Sequence, residues 1–285
     1  MRRSWRTSRA CRWLAALLAV LLLAGCAGAG GTDAAIGASD PPSGSAPETL
    51  DGHAPACENT AAVPCRIVDG ADEGTLLLAA QDSKWDRLFR LTVGEDTYIT
   101  IDNKEAAAGE LRDGMLVSVV FGGDVMESYP ALFGGVIAVN AVTAGLDDRC
   151  GLALQVLDDL WAEDTGLNSG AVCFGFDIDE ALIPQQAERE AVAWRFAELH
   201  GAEPLLGTWQ QLADEGYIDA DDLYWEDGIF FSITAAEGKA QKDDRLYFNA
   251  EKWRSGLGAF FYVDCTARRD KAGSWTYEPG GFAVA

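Results

Sequence analysis

Apolar and polar positions change their rhythm three times along the chain. From Trp13 to Leu23 nearly every residue is apolar, with Arg2, Arg3, Arg6, Arg9 and Arg12 upstream and no acidic residue before Cys26. A bilayer span needs about 20 apolar residues, and this run is shorter. A basic start, a short apolar stretch and then small residues is the layout of a cleaved secretory signal, so residues 1–25 are expected to be removed. Residues 27–61 then hold Gly, Ala, Ser, Pro and Asp with almost nothing bulky. They cannot bury enough apolar surface to order themselves. Residues 26–61 therefore read as a flexible tether, with ends about 30–35 Å apart by random-coil scaling.

From Cys65 to Ala144 the pattern becomes short β-rich runs: Gly74 to Leu78, Leu88 to Val93, Tyr98 to Ile101, Met115 to Phe121 and Gly135 to Val139. Gly, Asp and Asn turns separate them. Five strands at this spacing predict a small all-β barrel of the OB kind over residues 62–146. After Gly145 the period shifts to that of helices. Asp147 or Asp148 can cap a helix whose buried face holds Leu152, Val156, Leu157, Leu160 and Trp161. Ala171 to Phe176 reads as a strand. Pro184 to His200 reads as a second helix, with Gly201 just past its end. Thr208-Trp209-Gln210-Gln211 fits a capping box opening a short third helix. Strands follow at Ile229 to Thr234 and Arg245 to Phe248, then a hairpin through Phe261 to Arg268 and Trp275 to Tyr277. Helices first and strands afterwards predict an α+β domain with an antiparallel sheet over residues 147–285.

Two stretches carry resemblances. Leu23-Ala24-Gly25-Cys26 resembles the lipobox of bacterial lipoproteins. That resemblance implies that the Cys26 thiol takes a diacylglycerol and becomes the mature N-terminus, on the outer face of the cytoplasmic membrane. Two acyl chains on one residue are enough for stable anchoring. The order Leu111-Arg112-Asp113-Gly114-Met115-Leu116-Val117, then Glu127-Ser128-Tyr129-Pro130-Ala131, then Ile137, resembles small uncharacterised OB-like barrel modules in lipoproteins of Gram-positive bacteria. It covers residues 65–144 and implies a barrel fold and a cell-envelope setting.

Charge narrows the partners. The chain carries −23 at pH 7. Residues 1–25 hold five of its 22 basic residues and none of its 45 acidic ones, so cleavage makes the balance more negative by five. Such a chain repels nucleic acid phosphates and anionic headgroups, and nucleic acid binding is excluded. Export permits disulfides, and Cys57 with Cys65 is the pairing that would tie the tether to the first domain; the alternative is that Cys57, Cys65, Cys150, Cys173 and Cys265 are all small apolar core residues. With no C-x-x-C pair and only His53 and His200, no zinc site is expected, nor any other metal or cofactor.

No motif nominates a catalytic centre. Asp219 to Phe230 fails as a calcium loop, because Leu223, Tyr224 and Phe230 stand where a ligand, the turn glycine and the closing glutamate are needed. Asp177-Ile178-Asp179-Glu180 reads as a loop leading into a helix start. His200, at a helix C-terminus, would be favoured there as a cation by the helix dipole. Tryptophan is the compositional oddity, with six in residues 147–285. Trp225 and Trp253, beside polar loop edges, could join Tyr262 in lining a groove for a sugar or peptide. The expected role is binding or accessory work at the cell envelope, through the lipid anchor in the membrane, toward an envelope glycan, a peptide or another envelope protein. The alternative is an envelope hydrolase using a carboxylate pair in the second domain.

Overall fold

The computed structural model describes residues 60–285. Cys26, Cys57 and the segments expected to form the signal and nearly all of the tether lie outside those residues. In chain order the strands of the first half are β1 (Ala61–Asp69), β2 (Thr75–Ala80), β3 (Leu88–Thr92), β4 (Tyr98–Ile101), β5 (Lys104–Glu105), β6 (Leu116–Phe121), β7 (Val125–Met126), β8 (Ala131–Phe133) and β9 (Val136–Val142). Then come α1 (Arg149–Ala162), β10 (Cys173–Ile178), α2 (Gln186–Leu199), β11 (Glu203–Leu206), α3 (Trp209–Asp214), β12 (Gly228–Ala235), β13 (Arg245–Ser255), β14 (Gly258–Arg269), β15 (Trp275–Glu278) and β16 (Gly281–Val284).

These elements correct the fold expected from the pattern. The first half is a nine-stranded sheet in the order β5-β4-β9-β6-β1-β2-β3-β8-β7, and no pairing joins β5 to β7, so it is not a closed barrel. The five strands read from the sequence are present, but β1, β5, β7 and β8 widen the sheet. β1 was hidden by Pro64 and the charged Arg66 within it. Two parallel pairings, β3 with β8 and β4 with β9, also depart from a simple meander. The second half is not an α+β domain with a purely antiparallel sheet. Its seven strands run β11-β10-β12-β13-β14-β15, with β16 also on β14, and β10 is parallel to both β11 and β12. Cys173 to Phe176 are buried throughout, as parallel strands covered on both faces require.

Side-chain alternation sorts the two cores. On β1, Val63, Cys65 and Ile67 enter a cluster with Leu76, Leu78, Phe89, Val119, Phe121 and Phe133 on one face of the nine-stranded sheet. The opposite parity, Val68, Leu77, Ala79 and Leu88, joins a second cluster with Val156, Leu160 and Phe196 of the helices and Phe174 and Phe231 of the other sheet. α1 and α2 are therefore a layer shared between two sheets. α1 starts at Asp148, whose carboxylate accepts from the Gly151 N–H at 3.0 Å. α2 is followed by Gly201 at φ +66°, the left-handed residue that ends a helix without a Cβ penalty.

His200 closes α2 against rings: Trp161 at 4.2 Å, Phe196 at 4.6 Å and Phe174 at 6.2 Å between centroids. Burial lowers its pKa, with Asp158 opposing, so the cage outweighs the helix dipole. The unfolded imidazole titrates near 6.5. Below that pH the unfolded chain binds a proton that the folded one resists, and stability falls as pH falls. The stability difference between the protein and a His200→Gln variant should accordingly shift against the protein from pH 7 to pH 5. A difference constant across that range would refute the assignment.

Candidate functional site

β10 is the central strand of the parallel set, and the two crossovers around it lie on opposite faces. The chain runs from β10 through α2 to β11 on one side, then from β11 through α3 past β10 to β12 on the other. α2 packs in the shared helical layer, whereas α3 covers the opposite face of β10. In open parallel sheets, ligands bind where such connections part, outside the carboxyl ends of the strands. A cleft of about 670 Å³ opens at that point, lined by Asp177, Asp179, Glu180, Arg189, Thr208 and Gln211 among others.

Each lining group has a local cause. The Thr208 hydroxyl accepts from the Gln211 N–H and the Gln211 side chain accepts from the Thr208 N–H, which holds the first turn of α3 at the cleft edge. Asp179 fixes the loop after β10: Oδ1 accepts from Ala181 N–H at 2.8 Å and Oδ2 from Ala235 N–H at 3.0 Å. Arg189 donates through Nη1 to the Ile183 and Pro184 carbonyls, at 2.7 and 3.0 Å. Asp177 is half-buried, and its carboxylate accepts no hydrogen bond from a described residue. Burial, and then the charge of Asp179, raise its carboxyl pKa.

Asp177 also begins a polar row across the sheet. It is in register with Ser232, and Ser232 with Glu251. Ser232 Oγ lies 3.4 Å from Glu251 Oε2, and burial raises the Glu251 pKa as well. Two strand spacings put the Asp177 and Glu251 backbones about 10 Å apart. This face also carries the close approach of α3. A Cβ at Gly175 would stand 2.5 Å from Leu212, and one at Gly228 only 1.9 Å from the Trp225 ring. Only glycine fits at either position. Among the described residues, no group of three or more His, Cys, Asp or Glu side chains is arranged to hold a metal ion.

Trp225 and Trp253 are both buried, on the α3 side of the seven-stranded sheet, where Trp253 meets the Trp209 ring edge-on at 5.5 Å. Tyr262 is on the other side: it packs against the shared cluster and its hydroxyl is 3.3 Å from Glu163 Oε1, at the end of α1. The structure thus brings the two tryptophans to one face and separates Tyr262 from them. Cys65 is fully buried, and burial pushes its thiol up to about 12; its expected partner Cys57 lies outside the described residues. In the sequence, Asp177 to Glu180 read as a connecting loop, which conceals the cleft residues. The signal that could have found them is the order strand, helix, short apolar run Pro204-Leu205-Leu206, helix, strand, which spells a βαβαβ unit. No family model matches the chain, and neither curated proteins nor solved structures yield a match.

Proposed function

We propose that this chain is a lipid-anchored, extracytoplasmic protein that binds a small polar ligand carrying a cationic group in the cleft at the end of β10. The observation that carries the reading is the cleft itself, placed where the two crossover connections part and holding the half-buried, unpaired carboxyl of Asp177. A desolvated carboxylate gains most from a cation that neutralises it. Anchoring rests on the resemblance of Leu23 to Cys26 to a lipobox, and would hold the cleft outside the membrane, toward envelope glycans, peptides or another envelope protein. The acidic balance disfavours nucleic acid as a partner.

The test is calorimetric titration of the full chain in detergent with amine-bearing probes: spermidine, lysine, glucosamine and a muropeptide. At least one should bind, and Asp177→Asn should weaken it at least tenfold, about 1.4 kcal/mol. If no probe binds, or Asp177→Asn binds equally well, the cleft reading falls. For the anchor, radiolabelled palmitate should mark the protein and should not mark Cys26→Ala.

A second reading, a hydrolase using a carboxylate pair, is favoured by one observation. Burial, and then the charge of Asp179, shift the Asp177 carboxyl upward, the direction a general acid needs. It predicts that hydrolysis of an envelope substrate is lost in Asp177→Asn and falls on the alkaline limb as Asp177 ionises.

A further inference from the structure

Three apolar side chains project from one ordered tip of the seven-stranded sheet. Leu257, in the turn between β13 and β14, is 93% exposed, and Leu223 and Tyr224 are 47% and 42% exposed. Isolated exposed leucines are ordinary on protein surfaces, but these three are joined. Gly256 N–H donates to the Leu223 carbonyl at 2.8 Å, and a Cβ on Gly256 would touch Leu223 at 3.3 Å. Tyr224 pairs with Asp219 and with Ser255. Asp219 Oδ1 accepts from the Asp221 and Asp222 N–H groups at 3.1 and 3.0 Å. Beneath, the buried Trp225 donates its backbone N–H to Arg254 at 2.9 Å. Leu223 itself sits at φ +48°, a conformation L side chains disfavour. The loop is therefore held open with its apolar groups outward, when collapse inward would hide them.

Charge surrounds this tip on one sign only. Residues 201–238 hold nine acidic residues and no Lys, Arg or His, and Asp219, Asp221, Asp222 and Glu226 are exposed beside the apolar groups. Arg254, the cation of the adjoining strand, turns inward: Nη1 donates to the Leu167 and Ser169 carbonyls and Nη2 to that of Glu226, each at 2.6 Å. We infer that the tip formed by Leu223, Tyr224 and Leu257 docks a protein partner whose contact surface is apolar at its centre and basic at its rim. A second copy would bring the same acids into contact, and an anionic lipid surface would be repelled likewise. Three side chains make a small patch, so the contact belongs to the weak, transient and salt-sensitive class. It is independent of the cleft at β10.

The probe is a 16-residue helical peptide with leucines on one face and lysines on the other, titrated against the full chain held in phosphatidylcholine nanodiscs, with empty discs subtracted. Two control peptides replace every lysine by glutamate or every leucine by glutamine. The Leu/Lys peptide should bind, and both controls should bind at least tenfold more weakly. Leu257→Gln with Leu223→Gln should lower its affinity at least tenfold with an unchanged thermal midpoint, as should raising salt from 0.05 to 0.5 M. Leu257→Gln alone serves if the double variant is unstable, since its side chain contacts almost nothing. A photoreactive residue at position 257 should crosslink the leucine face of the peptide. Equal binding by the variants, equal binding of the leucine-free peptide, or crosslinks to a second copy of the chain or to lipid would each overturn the proposal.

Discussion

Replacing Lys252 by methionine is expected to destabilise the protein by about 3 kcal/mol, or about 6–12 °C in thermal midpoint for a unit of this size. Lys252 lies on β13, fully buried beneath the end of α1. Its ammonium donates toward the carbonyls of Glu163 at 2.5 Å, Leu160 at 3.2 Å, Asp164 at 3.3 Å and Trp161 at 3.4 Å. Leu160 and Trp161 lie in the last turn of α1, whose carbonyls have no partner within the helix, and Glu163 caps it, where the macrodipole also favours a cation. Methionine keeps most of the stem packing, so the loss isolates the ammonium. The Leu160 and Glu163 carbonyls are then stranded, each with a desolvation cost, whereas Trp161 keeps the Asn168 amide and Asp164 the Leu167 N–H. Burial pulls the Lys252 pKa down to about 8, against the pull of Asp164 and Glu163, which leaves the group charged at neutral pH. Denaturant unfolding of Lys252→Met at pH 7 measures the effect, and a change below 0.5 kcal/mol would show that water satisfies the helix end equally well.

That lysine illustrates what the chain conceals when read residue by residue. Helix faces were legible: Leu152, Val156, Leu157 and Leu160 are buried as their spacing required, Asp148 caps α1, and the Thr208–Gln211 capping box forms. These signals are local, carried within one or two turns. The strand runs around Leu76, Phe89, Ile99, Val119 and Val139 were legible for the same reason. Pairing was not. The four residues of β11 include a proline and carry no alternation, so nothing near them announced that they flank β10 in parallel. Without that pairing there is no divergence of connections at Asp177, and without the divergence the carboxylate looks like one loop acid among many. The tryptophans failed to declare themselves for a related reason. Trp225 is buried because Gly228, three residues on, and Gly175, fifty residues before it, leave room for its ring. His200 shows a competition: the helix dipole at the C-terminus of α2 favours the imidazolium, but burial against three rings lowers its pKa.

The second large effect is expected at Glu188, where α2 is tied to the nine-stranded sheet. Four ion pairs cross that boundary among the described residues: Glu188 with Arg66, Arg195 with both Asp69 and Glu73, and Glu198 with Arg90. Arg90 and Glu198 are each about a third exposed, so solvent screens that pair and it contributes little. Glu188 is only 5% exposed, and its Oε1 accepts from Arg66 Nε at 2.7 Å and Gln81 Nε2 at 2.9 Å. Arg66 is itself enclosed, with Nη1 donating to the Gly114 carbonyl at 2.7 Å. Removing the carboxylate strands a guanidinium away from water, and breaking a buried pair in this way costs about 3–5 kcal/mol. Glu188→Ala should fall in that range. Glu188→Gln keeps an acceptor but not the charge and should lose about half as much. The double variant Arg66→Met/Glu188→Leu should be less damaging than Glu188→Ala alone, because it removes both charges and leaves apolar groups in their place. Denaturant unfolding of the set at pH 7 gives the comparison. If the double variant proved the worst of the three, the paired charges would be net stabilising, and the attachment of α2 would depend on their attraction more than on the penalty for separating them.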